Sequence, residues 1–148
     1  MSSNDRELRI EYWEQFKKRL IKPEIFKEIG WLSATEPHPT GNYWQRTLRT
    51  SDVHLRVYQK RRANKLSVEV YIEHDKNLFK RLMQHKNVIE AETGLTFDWQ
   101  DKPNVKLNRI ITFQQVDFDD KAQWPQQFDW LIDTMLRMKA AFKMFIED

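Results

Sequence analysis

The run Val53-His54-Leu55-Arg56-Val57-Tyr58-Gln59-Lys60, then Arg61-Arg62-Ala63-Asn64-Lys65, then Leu66-Ser67-Val68-Glu69-Val70-Tyr71-Ile72-Glu73 decides the fold. Val53, Leu55 and Val57 alternate with His54, Arg56 and Tyr58. Leu66, Val68, Val70 and Ile72 alternate with Ser67, Glu69, Tyr71 and Glu73. A period of two gives each segment one apolar and one polar face, the signature of a half-buried strand. The polar stretch between them closes a hairpin. Arg56 and Lys60 on one outer face oppose Glu69 and Glu73 on the other, and cross-strand pairs of that kind contribute ~0.2–1 kcal/mol each.

Working outward, Tyr43 to Arg49 reads as a preceding strand. Residues 33–42, with two prolines and a glycine, read as a loop. A short helical turn is expected over Pro23 to Ile29, stopped at Gly30. The first helix starts at an Asn4 cap with Glu7 three residues later, and Leu8, Tyr12, Trp13, Phe16 and Leu20 form its apolar stripe. Downstream, Asp75 caps a helix with Leu78, Phe79, Leu82, Met83 and Ile89 on one face, ended by Gly94. Leu95, Phe97 and Trp99 alternate as a fourth strand, Gln100 to Asn104 is a turn, and a fifth strand runs from about Val105 to Phe113. A last helix begins near Pro125 and buries Phe128, Leu131, Ile132, Met135, Met138, Phe142 and Phe145. The order α-β-β-β-α-β-β-α predicts an α+β fold: a five-stranded mixed or antiparallel sheet packed by about three helices. Residues 1–148 are read as a single domain.

Composition narrows the function. Of 148 residues, 40% are hydrophobic and 13% aromatic, enough for a packed core and too many for wholesale disorder. The absence of cysteine removes disulfides, thiolate zinc sites and thiol nucleophiles. No run approaches the roughly 20 apolar residues that cross a bilayer, and the polar N-terminus is no signal peptide. The expectation is a cytoplasmic protein without membrane attachment. Gly30, Gly41 and Gly94 are too far apart for a phosphate-cradling loop. No nucleophile elbow is present, and no catalytic residue or cofactor is assigned.

Charge is unevenly distributed. Seven basic residues lie between Arg46 and Lys65 (Arg46, Arg49, Arg56, Lys60, Arg61, Arg62, Lys65), with Asp52 the sole acid until Glu69. Tyr43, Trp44, Tyr58 and Tyr71 interleave with them. Cations on one element contact phosphates, and aromatics between them stack on bases, so this hairpin is the candidate nucleic-acid site. The alternative is a solvated face neutralised by Glu69 and Glu73. A second candidate takes Asp52 and Glu69 as a carboxylate pair for Mg²⁺, in the manner of restriction-endonuclease-like enzymes. Tyr71 then stands where that chemistry wants a lysine. His38, His54, His74 and His85 lack metal-ligand spacing. Trp124 and Trp130 are candidates for a partner surface, because Trp is enriched at interface hot spots.

Several segments together resemble a family. They are Tyr12-Trp13-Glu14-Gln15-Phe16; Val70-Tyr71-Ile72 leading into Lys76, Leu78, Phe79 and Leu82; Ile89-Glu90-Ala91-Glu92-Thr93-Gly94-Leu95 followed by Trp99; Arg109-Ile110; and Trp124 with Trp130. They are similar to the bacterial domain-of-unknown-function family numbered 4268. Members of that family occur alone or C-terminal to other modules, some of which look like restriction-type nucleases. The resemblance implies a nucleic-acid-associated or defence-related accessory role and carries no catalytic residues. The leading reading is a non-catalytic binding domain that contacts nucleic-acid phosphates through the basic hairpin. The alternatives are a protein-interaction or homo-oligomerisation module and a divergent or inactive metal-dependent nuclease.

Overall fold

The computed structural model describes residues 2–20, 43–48, 52–101 and 106–146. The expected turn over Pro23 to Ile29, the loop at 33–42 and Arg49 lie outside the described residues. Helix α1 spans Ser2–Leu20, and strands β1 (Tyr43–Thr47), β2 (Val53–Lys60) and β3 (Lys65–Glu73) follow. Then come helices α2 (Lys76–Gln84) and α3 (Lys86–Thr93), strands β4 (Asp98–Asp101) and β5 (Leu107–Gln115), and helix α4 (Trp124–Ile146). The fold is α+β. The strands make one sheet in the order β1-β2-β3-β5-β4, and every neighbouring pair is antiparallel.

The hairpin forms where its alternation places it. Val57 pairs with Val68, Leu55 with Val70 and Val53 with Ile72, so the two apolar sets share one face. The link from Lys60 to Lys65 is a 3-10 turn at Arg61–Ala63, closed by Asn64 in the left-handed region at φ 53°. Asn tolerates that region better than most residues because its short amide bonds locally.

Several boundaries depart from the sequence reading: α1 begins at Ser2, so Asn4 lies inside it rather than capping it, β4 takes in Gln100 and Asp101 that were expected in a turn, and β5 spans Leu107–Gln115. The helix expected between Asp75 and Gly94 is two helices, so the described chain has four rather than about three. The break is at His85, whose N–H turns back to the Leu82 carbonyl at 3.0 Å while its ring stacks on Phe145 at 4.6 Å. The outer caps are as expected: Asp75 accepts the Leu78 N–H at 3.0 Å, and Gly94 sits at φ 69°. The fourth strand starts at Asp98 rather than Leu95. The Phe97 N–H and the Trp99 indole both donate to the Glu90 carboxylate, at 3.0 and 3.3 Å, so a side chain takes the bonds a ladder would have used.

The helices cover the face that carries Leu66, Val68, Val70 and Ile72, all fully buried. Phe79, Leu82, Ile89, Leu131, Met135, Met138 and Phe142 pack there. At α1, the Tyr12 ring lies 4.8 Å from Phe128 and 5.0 Å from Trp124, and its hydroxyl donates to Gln127 Oε1 at 2.9 Å. Burial raises the Tyr12 pKa, so it stays a neutral donor. Among the described residues, no helix is long and apolar enough to cross a membrane.

Gly94 tests the helix stop. A Cβ there would meet the flexible end of Arg137 at 3.4 Å, so the cost lies in the backbone. Gly94→Ala is expected to lower unfolding stability in urea by about 1–2 kcal/mol, and Gly94→Asn by less.

Candidate nucleic-acid interface on the second sheet face

The opposite face of the sheet is built by the other parity of each strand. It presents His54, Arg56, Tyr58 and Lys60 from β2, and Lys65, Ser67, Glu69, Tyr71 and Glu73 from β3. Arg109, Ile111 and Phe113 come from β5. Among the described residues the core cluster draws on none of these side chains.

Glu69 is the centre. It is fully buried, and its Oε2 accepts two bonds from Arg109, from Nε at 2.9 Å and Nη2 at 2.6 Å. Its Oε1 has no hydrogen-bond partner among the described residues, and neither has Ser67 Oγ. Above it the Arg56 guanidinium lies 3.6 Å from the Tyr71 ring centre and 4.7 Å from that of Tyr43, and it donates to the Tyr58 hydroxyl at 3.2 Å. Arg109 and Lys60 approach the Tyr58 ring at 5.7 and 5.5 Å, and Lys65 sits 4.3 Å from the ring of half-exposed Phe113. These are cation–π distances.

Arg109 therefore pairs with the buried carboxylate, Arg56 stands opposite it in the register, and Lys60 and Lys65 lie toward the hairpin end of the same face. Lys60 carries the imprint: burial lowers its pKa first, and the like charge of Arg109 lowers it further. Burial raises the Tyr58 hydroxyl pKa, and the Glu69 charge adds to that. The face holds excess positive charge in a partly desolvated setting, which favours an incoming anion.

The structure divides the residues singled out in the sequence. Arg56, Tyr58, Lys60 and Lys65 share this face. Arg61 leaves it: its Nη2 lies 3.4 Å from Asp119 Oδ1, and its guanidinium sits 5.1 Å from the Phe118 ring. Arg62 is exposed on the turn, and Arg46 pairs with Leu55 in the register. Arg56 does stand opposite Glu69 across the hairpin, but the hydrogen bonds to the Glu69 carboxylate come from Arg109 on the other side. Sequence reasoning about the hairpin missed Arg109. The signal was the alternation Arg109, Ile111, Phe113, usable only with the β3–β5 pairing.

Two readings are corrected. Asp52 and Glu69 do not form a metal pair. The Glu73 N–H bonds the Asp52 carbonyl at 2.7 Å, which sets Asp52 four residues along the ladder from Glu69, ~13 Å away at strand rise. Glu69 is committed to Arg109 instead, and no cluster of three metal-ligating side chains occurs among the described residues. Trp124 is not a partner surface. It is 1% exposed and packed on Tyr12, and its indole donates to the Phe118 carbonyl at 2.8 Å. Trp130 is half-buried against the same core.

The family described as "Domain of unknown function (DUF4268)" matches residues 8–146. The chain belongs to this family. No curated protein matches it. Among solved structures it is similar to YbjN, described as "a putative transcription regulator from E. coli", with a TM-score of 0.39 and 9% identity over 81% of this chain and 89% of that one.

The buried pair gives a test. In this family member Arg109→Met strands the Glu69 charge and is expected to cost about 3 kcal/mol, the low end for a broken buried pair because Arg109 is itself 24% exposed. The double variant Glu69→Leu/Arg109→Met recovers most of that loss in urea unfolding.

Proposed function

We propose that this chain is a non-catalytic domain that binds a single nucleic-acid strand on the sheet face that carries Arg56, Tyr58 and Lys65. The observation that carries the reading is the grouping of Arg56, Lys60, Lys65 and Arg109 with Tyr58, Tyr71 and Phe113 on one sheet face. Ammonium and guanidinium groups neutralise phosphates and release counterions. Aromatic rings between them stack on bases regardless of sequence.

Geometry favours a strand over a duplex. Four inter-strand gaps make the sheet ~19 Å wide, broader than the ~12 Å major groove that admits a helix or a two-stranded ribbon. A single strand can lie along such a face with its bases turned onto the rings.

Anisotropy titrations of labelled single strands and duplexes test this. A site that neutralises three phosphates has a slope of log affinity against log salt of about −2 on single strands. Lys60→Glu/Lys65→Glu is expected to flatten that slope and to lower affinity at least about tenfold. Absence of strand binding in dilute salt overturns the reading and directs attention to a protein partner. The lowered Lys60 pKa adds a pH signature. An anion site needs the charged form, so affinity falls as pH rises through a value below the ordinary lysine range, and Lys60→Arg abolishes that fall.

A further inference from the structure

We infer that the hairpin end of this face holds a subsite for a phosphomonoester, the terminal phosphate of a nucleic-acid strand, formed by Lys60, Lys65 and Gln115. The inference rests on the strand-binding reading and adds which part of the strand this end of the face takes.

Lys60 pairs with Lys65 in the last step of the β2–β3 ladder, and Lys65 pairs with Gln115 in the last step of the β3–β5 ladder. Partners in register project to the same side of a sheet, so two ammonium groups and an amide stand in one row across three strands. Both lysines are half-buried and Gln115 is exposed, so the row is accessible. Like charges directly opposed across a ladder are destabilising. Arg109, Arg61, Lys76 and Lys121 each have a carboxylate within salt-bridge distance. Among the described residues neither Lys60 nor Lys65 has an ion pair or a side-chain hydrogen bond. Each ammonium is held only by a ring, Lys60 at 5.5 Å from Tyr58 and Lys65 at 4.3 Å from Phe113. Such contacts are weak beside a charge-assisted hydrogen bond, so both groups can turn to an anion without giving up a stronger partner.

The count of charges selects the ligand. A phosphodiester carries one negative charge and leaves one of the opposed lysines uncompensated. A phosphomonoester carries close to two above its second pKa of about 6, spread over three terminal oxygens. The Gln115 amide adds a neutral donor to the two ammonium groups. Position agrees with a strand end. β1 pairs with β2 only from His54 to Tyr58, and β4 pairs with β5 only from Asn108 to Ile111, so neither edge strand is paired as far as this row. A strand lying along the face meets its rim here. Burial and the like charges of Arg109 and Lys65 disfavour the charge on Lys60, while Glu69 favours it. A dianion seated between the lysines relieves that repulsion.

The same chemistry occurs at a 5′ and at a 3′ end, and the test separates them. An internally labelled thymidine strand of about ten nucleotides is bound to the full chain and displaced by unlabelled strands, with anisotropy as the readout. The competitors are the same strand with two hydroxyl ends, with a 5′-phosphate or with a 3′-phosphate, and a hydroxyl-ended strand one nucleotide longer, which adds one diester charge. At neutral pH a phosphorylated strand is expected to compete about tenfold better than both hydroxyl-ended strands, as for a hydrogen bond to a charged group. The end that gains sets the direction of the strand on the face. The advantage shrinks as pH falls through about 6, where the monoester becomes a monoanion. Lys60→Gln/Lys65→Gln abolishes it, and Lys60→Arg/Lys65→Arg keeps it. Equal competition by the phosphorylated strands and the longer hydroxyl-ended strand, with the salt slope intact, overturns the subsite and leaves strand binding standing. An advantage that survives in Lys60→Gln/Lys65→Gln, shown to be folded by thermal melting, overturns it as well. Binding of no strand overturns both readings. If the glutamine variant fails to melt cooperatively, the longer-strand comparison and the pH dependence in the unaltered chain decide the matter.

Discussion

The contact between Arg109 and Glu69 ties the second sheet face together. A carboxylate with no exposure needs a counter-charge and hydrogen bonds, and Arg109 supplies both through a two-point contact from the adjacent strand. The pair links β3 to β5 on the face that carries no helix among the described residues. It also brings the β5 guanidinium within reach of Tyr58, which β2 contributes. Without that carboxylate, Arg56, Lys60 and Arg109 would be like charges crowded on one surface.

The sheet separates stability from recognition by strand parity. On one side, Leu66, Val68, Val70 and Ile72 meet α2 and α4, and α1 joins the core through Tyr12 and Trp13. On the other, the same strands present rings and cations. A substitution on the first side is felt as lost packing. On the second side, the binding properties can vary while the core stays intact. Arg61 marks the boundary between the two. It belongs to the basic run by position, yet it faces Asp119 and Phe118 and serves the loop before α4.

Much of the fold was legible because its signals are local. The period-two hairpin, the Asp75 cap, the Gly94 stop and the apolar stripe of α4 depend on residues within a turn or a strand of one another. Two of the misplaced boundaries share one cause. At His85 and at Leu95 to Phe97, bonds to a ring, a carbonyl or a carboxylate outranked the local periodicity. The basic run was legible as composition, and three of its seven residues, Arg56, Lys60 and Lys65, proved to share a face. Trp124 was misread because an indole near a helix start looks alike in sequence whether its ring points outward or, as here, into Tyr12 and Phe118.

The chain by itself determined which residues alternate, the helix start at Asp75 and stop at Gly94, and that positive charge concentrates around the hairpin. Those properties follow from backbone geometry and side-chain type over short stretches. Only the tertiary structure decided that β5 lies beside β3. That placement brings Arg109 to Glu69 across 40 residues and makes the carboxylate a structural anchor rather than a metal ligand. Strand order is a non-local choice set by packing of the whole core, and no window of the sequence contains it.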